Sequence, residues 1–406
     1  MMAGTRAALG AMHECGTLFA VVDARHAWVV VAIPLLSCGE RTIDPLDREC
    51  VRARILPFSP DRITRSGRTL FELSDWSIEQ IEPDGSLTTV VQLDVDLDPA
   101  SYYGAIEHDP VSGRMWLLAA SRDDLPAWLF QFDAAGQVEW ADELSDLGGE
   151  VNGGGLLHHE GALIVTIGTE TPPWEREVIV ERRDLSGAVV WSRGDLPTPD
   201  DDSVFASANP IGVVDGVLAL IATPPLIDYG PSFPLTLDFA TGETIWSGAD
   251  GHDPIRMAVD DERLYLAHTG GPRFDSERFP SELIELEPAT STLEAVSPSG
   301  EVIMQDEVEW PQGWRGHDDD EIALVRLGDR LISLVQGSEA LGVTVHDRAG
   351  ELECQGKLDL DIDRVGWGIT LEGRAQGLAW VTVRTGEFDE YGEPERVHAM
   401  LLIEPL

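Results

Sequence analysis

Phe132–Asp133–Ala134–Ala135–Gly136–Gln137–Val138–Glu139–Trp140 is the stretch on which the fold turns. Asp at the start of a turn accepts hydrogen bonds from backbone N–H groups two residues on, and Gly supplies a left-handed position, so the nonapeptide reads as a hairpin. Trp at the fourth residue after the Gly then covers an adjacent sheet face with a large apolar area. The same layout returns at Arg183–Asp184–Leu185–Ser186–Gly187–Ala188–Val189–Val190–Trp191 and at Asp238–Phe239–Ala240–Thr241–Gly242–Glu243–Thr244–Ile245–Trp246. Weaker copies stand at Ile81–Gly85, Leu286–Thr290 and His346–Gly350. The spacing is roughly 50 residues, the period of propeller blades.

A second hairpin precedes each of these. Its turns lie in Val111–Leu118, His159–Val165, Val214–Leu220, Asp260–Leu266, Leu327–Leu334 and Gly373–Trp380, and their near-continuous apolar runs suit strands buried on both faces. The units start near Pro60, Ser101, Val151, Ser203, Asp253, Gly316 and Asp363. This predicts an all-β, seven-bladed β-propeller of four-stranded antiparallel blades, with six and eight as the neighbouring counts. The last unit has strands near Gly366–Leu371, Leu378–Val383 and Val397–Ile403 and no fourth. The alternating segment Glu49–Leu56 is expected to supply it and close the ring, which removes open sheet edges.

The repeat, Asp–x–x–Gly or Asp–x–x–x–Gly followed by Trp, resembles that of the pyrroloquinoline-quinone-type propellers, clearly in three blades. That family holds quinone-dependent dehydrogenases and non-catalytic bacterial envelope lipoproteins. The resemblance to the dehydrogenases stops short, since this sequence has no adjacent cysteine pair and too few blades. The lipoprotein branch is the nearer likeness, and it implies a scaffold and not an enzyme.

Arg25–His26 leads into the apolar run Ala27–Leu36, which ends at Ser37–Cys38. A basic residue, a run too short to span a bilayer and a small residue make the layout of an export signal. Leu35–Leu36–Ser37–Cys38 resembles a bacterial lipobox, which implies cleavage before Cys38 and lipidation of its thiol. The residues ahead of Arg25, with Glu14 among them, suit a start further downstream. The expected layout is a signal over 1–37, a tether over 38–48 and a propeller over 49–406, with an exported product anchored at the outer membrane or free in the periplasm or medium. A buried strand over Ala27–Leu36 is the competing reading.

With 28 Lys and Arg against 73 Asp and Glu, the formal charge is −45. A field of that sign repels phosphate backbones, so no nucleic-acid partner is expected, and a membrane is reached only through the lipid. The four cysteines form no CxxC or Cys/His cluster, against zinc, haem and iron–sulfur sites. Cys50 and Cys354 fall on the outer strands of neighbouring blades, where a disulfide would lock the closure of an exported protein; two separate buried thiols are the alternative.

No nucleophile elbow, phosphate loop or dinucleotide fingerprint occurs. The Gly-rich Val151–Leu156 reads as a blade-linking loop. His158 and His159 alternate along a strand and so cannot readily share an ion. The acidic runs Asp200–Asp202 and Asp318–Glu321, with His317, are the candidates for calcium at a channel mouth; solvated linker acid is the plainer reading. Aromatic and Pro-bearing insertions carry Trp174, Tyr229, Phe233, Phe274, Phe279, Phe388 and Tyr391 at one point of the repeat, between second and third strands. Grouped on one rim, they make the expected binding surface. The expectation is a monomeric scaffold with no cofactor, binding an envelope or extracellular protein or ligand. A hydrolase or lyase using the acidic runs is the competing function.

Overall fold

The structure is a computed structural model that describes residues 18–24, 27–33, 49–56, 62–63, 69–72, 76–81, 87–97, 102–109, 111–121, 126–144, 150–171, 175–197, 207–223, 232–248, 256–270, 290–310, 322–336, 341–358, 371–374, 378–388 and 394–405. The chain divides into two compact units, Met1–Asp47 and Arg48–Leu406. In the first, β1 (Leu18–Ala24) and β2 (Ala27–Ile33) pair antiparallel from Leu18↔Ile33 to Ala24↔Ala27.

The second unit opens with β3 (Val51–Leu56) and then runs through sheet after sheet. Blade 1 holds β4 (Arg62–Ile63), β5 (Thr69–Glu72), β6 (Ser77–Ile81) and β7 (Leu87–Gln92). Blade 2 holds β8 (Tyr102–His108), β9 (Met115–Ser121), β10 (Trp128–Phe132) and β11 (Val138–Glu143). Blade 3 holds β12 (Glu150–His159), β13 (Ala162–Thr171), β14 (Glu175–Asp184) and β15 (Val189–Arg193). Blade 4 holds β16 (Ser207–Val214), β17 (Val217–Thr223), β18 (Phe233–Asp238) and β19 (Thr244–Ser247). Blade 5 holds β20 (Arg256–Val259), β21 (Leu264–Gly270), β22 (Thr290–Val296) and β23 (Val302–Glu309). Blade 6 holds β24 (Ile322–Leu327), β25 (Arg330–Gln336), β26 (Leu341–His346) and β27 (Leu352–Leu358). Blade 7 holds β28 (Leu371–Arg374), β29 (Leu378–Phe388) and β30 (Pro394–Pro405), and its fourth strand is β3.

Among the described residues these are seven four-stranded antiparallel sheets. The first strand of each touches the next sheet: β4 meets β8, then β8 meets β12, and so on through β16, β20, β24 and β28. β3 pairs with β30 from Val51↔Pro405 to Leu56↔Met400, and its chain then passes into blade 1. The architecture is a closed β-propeller, and the N-terminal strand closes it. The first strand of blade 7 is Leu371–Arg374, at the far end of the Gly366–Leu371 stretch read from the sequence.

Burial follows from this arrangement. Along β9, Met115, Leu117 and Ala119 pack on Ile78 of blade 1, while Trp116, Leu118 and Ala120 pack on Leu163 and Val165 of blade 3. Alternation puts successive side chains on opposite faces, and both faces are buried, so the strand reads as one apolar run. Further slabs lie between blades 3 and 4, with Ile164 and Val180 on Leu218 and Leu235, and between blades 4 and 5, with Ala219 and Ile221 on Leu264 and Leu266. Val151–Leu156 is part of strand β12 and not a linking loop. A Cβ on Gly155 would stand 2.7 Å from Pro210, and one on Gly154 would stand 2.6 Å from the Thr166 carbonyl oxygen, so the crowded inner strand has room only for glycine.

The Asp–Gly turns join third to fourth strands. Asp184 Oδ1 accepts from the N–H groups of Ser186 (2.8 Å) and Ala188 (3.1 Å), and Asp238 Oδ1 from those of Ala240 (3.0 Å) and Thr241 (2.7 Å). The blade 5 copy is not at Leu286–Thr290. Its turn is Ser297–Glu301, where Ser297 Oγ accepts from the Glu301 N–H at 3.0 Å and the Ser297 N–H donates to the Glu301 carbonyl at 2.9 Å. A hydroxyl can cap this turn as a carboxylate does, so the Asp signal was absent although the turn was present.

The Trp of each copy reaches the next blade and docks on its turn. Trp140 lies on Gly187, and Trp191 lies on Gly242, where an added Cβ would stand 3.2 Å and 2.8 Å from the respective rings. Trp140 Nε1 donates to the Leu185 carbonyl (3.2 Å), and Trp191 Nε1 to the Phe239 carbonyl (3.1 Å). Trp246 lies on Gly300 and Met304 on Gly350. At the blade 5 turn the carbonyl after the turn residue is met by the preceding blade in the same way, where Thr236 Oγ1 donates to Pro298 (2.9 Å). At the blade 6 turn the Tyr265 hydroxyl oxygen lies 3.2 Å from the Arg348 carbonyl oxygen.

Candidate functional site

An antiparallel blade sends its first-to-second and third-to-fourth connections to one end and its second-to-third connections to the other. At the first end the connections are short. The turns Glu160–Gly161 and Asp215–Gly216 place both residues in the left-handed region (φ 46 and 76; 50 and 74), as a two-residue hairpin with right-handed twist requires. The opposite end receives the connections after β13 (Thr171 to Glu175), β17 (Thr223 to Phe233), β21 (Gly270 to Thr290) and β29 (Phe388 to Pro394).

The rim residues Trp174, Tyr229, Phe274, Phe279 and Tyr391, and with them Cys38, His317, Asp200–Asp202 and Asp318–Glu321, lie outside the described residues. Phe388 is the last residue of β29, opposite Pro394. Phe233 is not a rim side chain. It is 8% exposed, packed with Val178, Ala208 and Ala222 between blades 3 and 4. It opens β18 with its side chain turned to the neighbouring blade, and only the position of that blade decides this.

The turn end holds a polar cluster between blades 5 and 6 that the sequence reading did not single out. The Asp260 carboxylate, 1% exposed, follows β20. Its Oδ1 accepts from the N–H groups of Glu262 and Arg263, each at 2.8 Å. Its Oδ2 accepts from the Tyr265 hydroxyl at 2.8 Å and from Arg348 Nε at 3.0 Å. Arg348 comes from the blade 6 turn, directly after Asp347. Arg326 Nη1 crosses the same boundary to the Val259 carbonyl at 2.9 Å. A shallow cleft lies beside them, bordered by Asp329 and Arg330. Burial works to raise the Asp260 carboxyl, but its four donors outweigh burial and hold it below the usual range. Burial, and then the Asp260 carboxylate, pushes the Tyr265 phenol up to about 12. One group stays ionised and the other stays protonated at neutral pH. The cluster acts as a pin between blades and is not poised for proton transfer.

A second cluster joins blades 2 and 3. The guanidinium of Arg183, buried, pairs with Glu181 (2.7 Å) and with Asp142 of the neighbouring blade. His158 stacks on Trp116 (ring centroids 4.6 Å), toward blade 2, while His159 meets Phe239 edge-on (5.3 Å), toward blade 4. The two histidines therefore face opposite neighbours. Among the described residues no group of three or more His, Cys, Asp or Glu is placed to hold a metal ion.

His346, 1% exposed, keeps Nε2 3.0 Å from Asp306 Oδ2, and its Nδ1 has no hydrogen-bond partner among the described residues. Burial lowers its pKa from 6.5, with Asp306 and Asp347 opposing. The unfolded chain therefore binds this proton more readily than the folded one. Stability is full above about pH 6.5 and is lost as pH falls below it toward the folded value. Urea midpoints of the wild type should drop as pH is lowered below 6.5, and those of His346→Gln should drop less.

Cys50 and Cys354 are joined by a disulfide, with Cα atoms 5.8 Å apart. Cys50 directly precedes β3 and Cys354 lies in β27, so the bond links the fourth strands of blades 7 and 6.

No protein-family profile matches the chain. No curated protein matches it in sequence. Among solved structures it is similar to polysaccharide lyase Uly1, at 10% identity over 86% of this chain and 91% of that one, with a TM-score of 0.46. It is similar to the Dos1 propeller at 10% identity over 83% and 75%, with a TM-score of 0.43. It is also similar to the WD40 domain of SCAP from fission yeast at 9% identity over 87% and 98%, with a TM-score of 0.39. The propeller architecture rests on the strand pairing described above.

Proposed function

We propose that the chain is an exported propeller of the pyrroloquinoline-quinone-type repeat, anchored through a lipid on Cys38. In this reading it is a non-catalytic scaffold of a bacterial envelope that holds an envelope or extracellular protein or ligand at the insertion end of the ring. The carrying observation is the contrast between the two ends of the blades. At one end, short turns saturate their own hydrogen bonds and are locked under the docks and the Asp260 pin. At the other, the sheets of blades 3, 4, 5 and 7 emit the connections bearing Trp174, Tyr229, Phe274, Phe279 and Tyr391. Recognition concentrates on loops held by a rigid frame, and aromatic side chains carry most of the affinity there. The Cys50–Cys354 bond supports export, since such bonds persist in oxidising compartments. The three Asp–Gly–Trp docks support the repeat family.

Cross-linking and pull-down from envelope fractions test the scaffold. The wild type should capture a partner that a Trp174→Ala/Tyr229→Ala variant loses while its far-UV circular dichroism is unchanged. Equal capture by both proteins would refute the rim. Turnover of a substrate that is abolished by Asp200→Asn or Asp318→Asn would favour the enzyme reading instead. The anchor is tested separately. Cys38→Ala should move the protein from the membrane to the soluble fraction, and unchanged membrane association rejects lipidation.

A further inference from the structure

Cys354 occupies a repeat position that tryptophan holds elsewhere. It is the fourth residue after Gly350, as Trp140 is after Gly136, Trp191 after Gly187 and Trp246 after Gly242. The pairing agrees. Cys354 faces Val345 beside the strand irregularity, as Trp140 faces Gln131, Trp191 faces Arg182 and Trp246 faces Thr236. Each of those tryptophans docks on the turn glycine of the following blade. Blade 7 offers no such turn, because its third and fourth strands, β30 and β3, come from opposite ends of the unit. Cys50 stands just ahead of β3, where a turn would hand the chain to the fourth strand in any other blade.

We propose that the Cys50–Cys354 bond is a redox switch at the seam of the ring: oxidised, it replaces the dock that blade 7 cannot form, and reduced, it lets β3 leave while blades 2 to 5 stay folded. The reductant is a dithiol. Its thiolate attacks Cys354 Sγ, since Cys354 is half-buried whereas Cys50 is 9% exposed. The S–S bond breaks, and the electron pair leaves with Cys50 Sγ, which takes a proton. The second thiol of the reductant then attacks its own sulfur in the mixed disulfide, and Cys354 leaves and takes the second proton. Two electrons pass to the protein, and the reductant ends as a disulfide.

Only β3 is freed because its attachment differs from that of the other fourth strands. β11, β15, β19, β23 and β27 each continue from the third strand through a tight turn, so pairing closes a short loop. β3 reaches β30 only across the whole ring, and a closure that long is entropically costly once the covalent link is gone. A strand held by one neighbour and no turn is the natural unit of local opening.

Hydrogen–deuterium exchange of the full chain, followed by mass spectrometry with and without dithiothreitol, tests the proposal. Thiol titration should count two additional thiols on reduction. Exchange over residues 49–56 and 394–405 should then rise about tenfold or more, while β11, β15 and β19 change by less than about twofold, and reoxidation should reverse it. A Cys50→Ser/Cys354→Ser protein should reproduce the reduced pattern without reductant. A uniform rise over all blades, no rise over 49–56, or no new thiols in the native protein would each overturn the switch.

Discussion

Trp191→Ala is expected to lower stability to urea by about 3 kcal/mol, near the lower end for loss of a large aromatic side chain. The ring is half-buried and spans a boundary: it covers Gly242 and donates to the Phe239 carbonyl, while Arg193 Nη1, two residues on, donates to the Gly242 carbonyl at 2.9 Å. Removing it uncovers the blade 4 turn as well as its own strand. Gly242→Ala attacks the dock from the other side. It forces a Cβ to 2.8 Å from the ring at a residue with φ +75, and should cost about 2 kcal/mol through strain and displacement together. The double variant is decisive. With the indole gone, the new Cβ has space, so the two costs should sum to at least about 1 kcal/mol more than the double variant loses. Strict additivity would mean that Trp191 and Gly242 do not act on each other and that the dock is not what joins blades 3 and 4.

Asp260→Ala should cost about 3 kcal/mol, because it strips two turn N–H groups, the Tyr265 hydroxyl and the Arg348 guanidinium of one buried acceptor. Asp260→Asn keeps the shape and removes the charge, so a smaller loss is expected. The phenol supplies an independent reading. In the wild type Tyr265 ionises at about 12, above the ordinary 10, so its contribution is present below pH 10 and is lost as pH rises through 12. In Asp260→Asn the burial remains but the carboxylate does not, and ultraviolet titration should show one tyrosine moving from about 12 part of the way back toward 10. Asp260 has the opposite sense. Its pKa lies below 3.8, so what it adds is present above about pH 4 and is lost as pH falls through the folded value. An Asp260→Asn protein with unchanged urea stability and unchanged phenol titration would dissolve the pin.

The repeat was legible because its chemistry is local. Asp184 to Gly187 and Asp238 to Gly242 lie within a few residues of the groups they bond, so turn, strand and period could be read from the chain. Seven units and the closing strand Val51–Leu56 followed. Where another side chain does the same local work, as Ser297 does, the reading slipped by several residues. The candidate site was less legible. The aromatics of the insertions mark an end of the blade, but Phe233 shows that an aromatic beside an insertion can equally belong to the slab between sheets.

What the amino-acid order alone determined is the blade: alternation, turn residues and apolar runs act over ten residues or so and need no partner from elsewhere. What only the tertiary structure decided is the joining of blades. The Cys50–Cys354 bond could be read from the repeat, which put both thiols on outer strands of neighbouring blades, but Trp191 and Gly242, and Asp260 and Arg348, about 50 and about 90 residues apart, could not. Nothing in either member of those two pairs specifies the other. The pairing arises because successive sheets, each twisted and apolar on both faces, can bury those faces only by packing side by side around an axis. That packing brings the fourth strands of blades 2 to 5 against the turn of the next blade, and between blades 6 and 7, where no such turn exists, a covalent bond stands in its place.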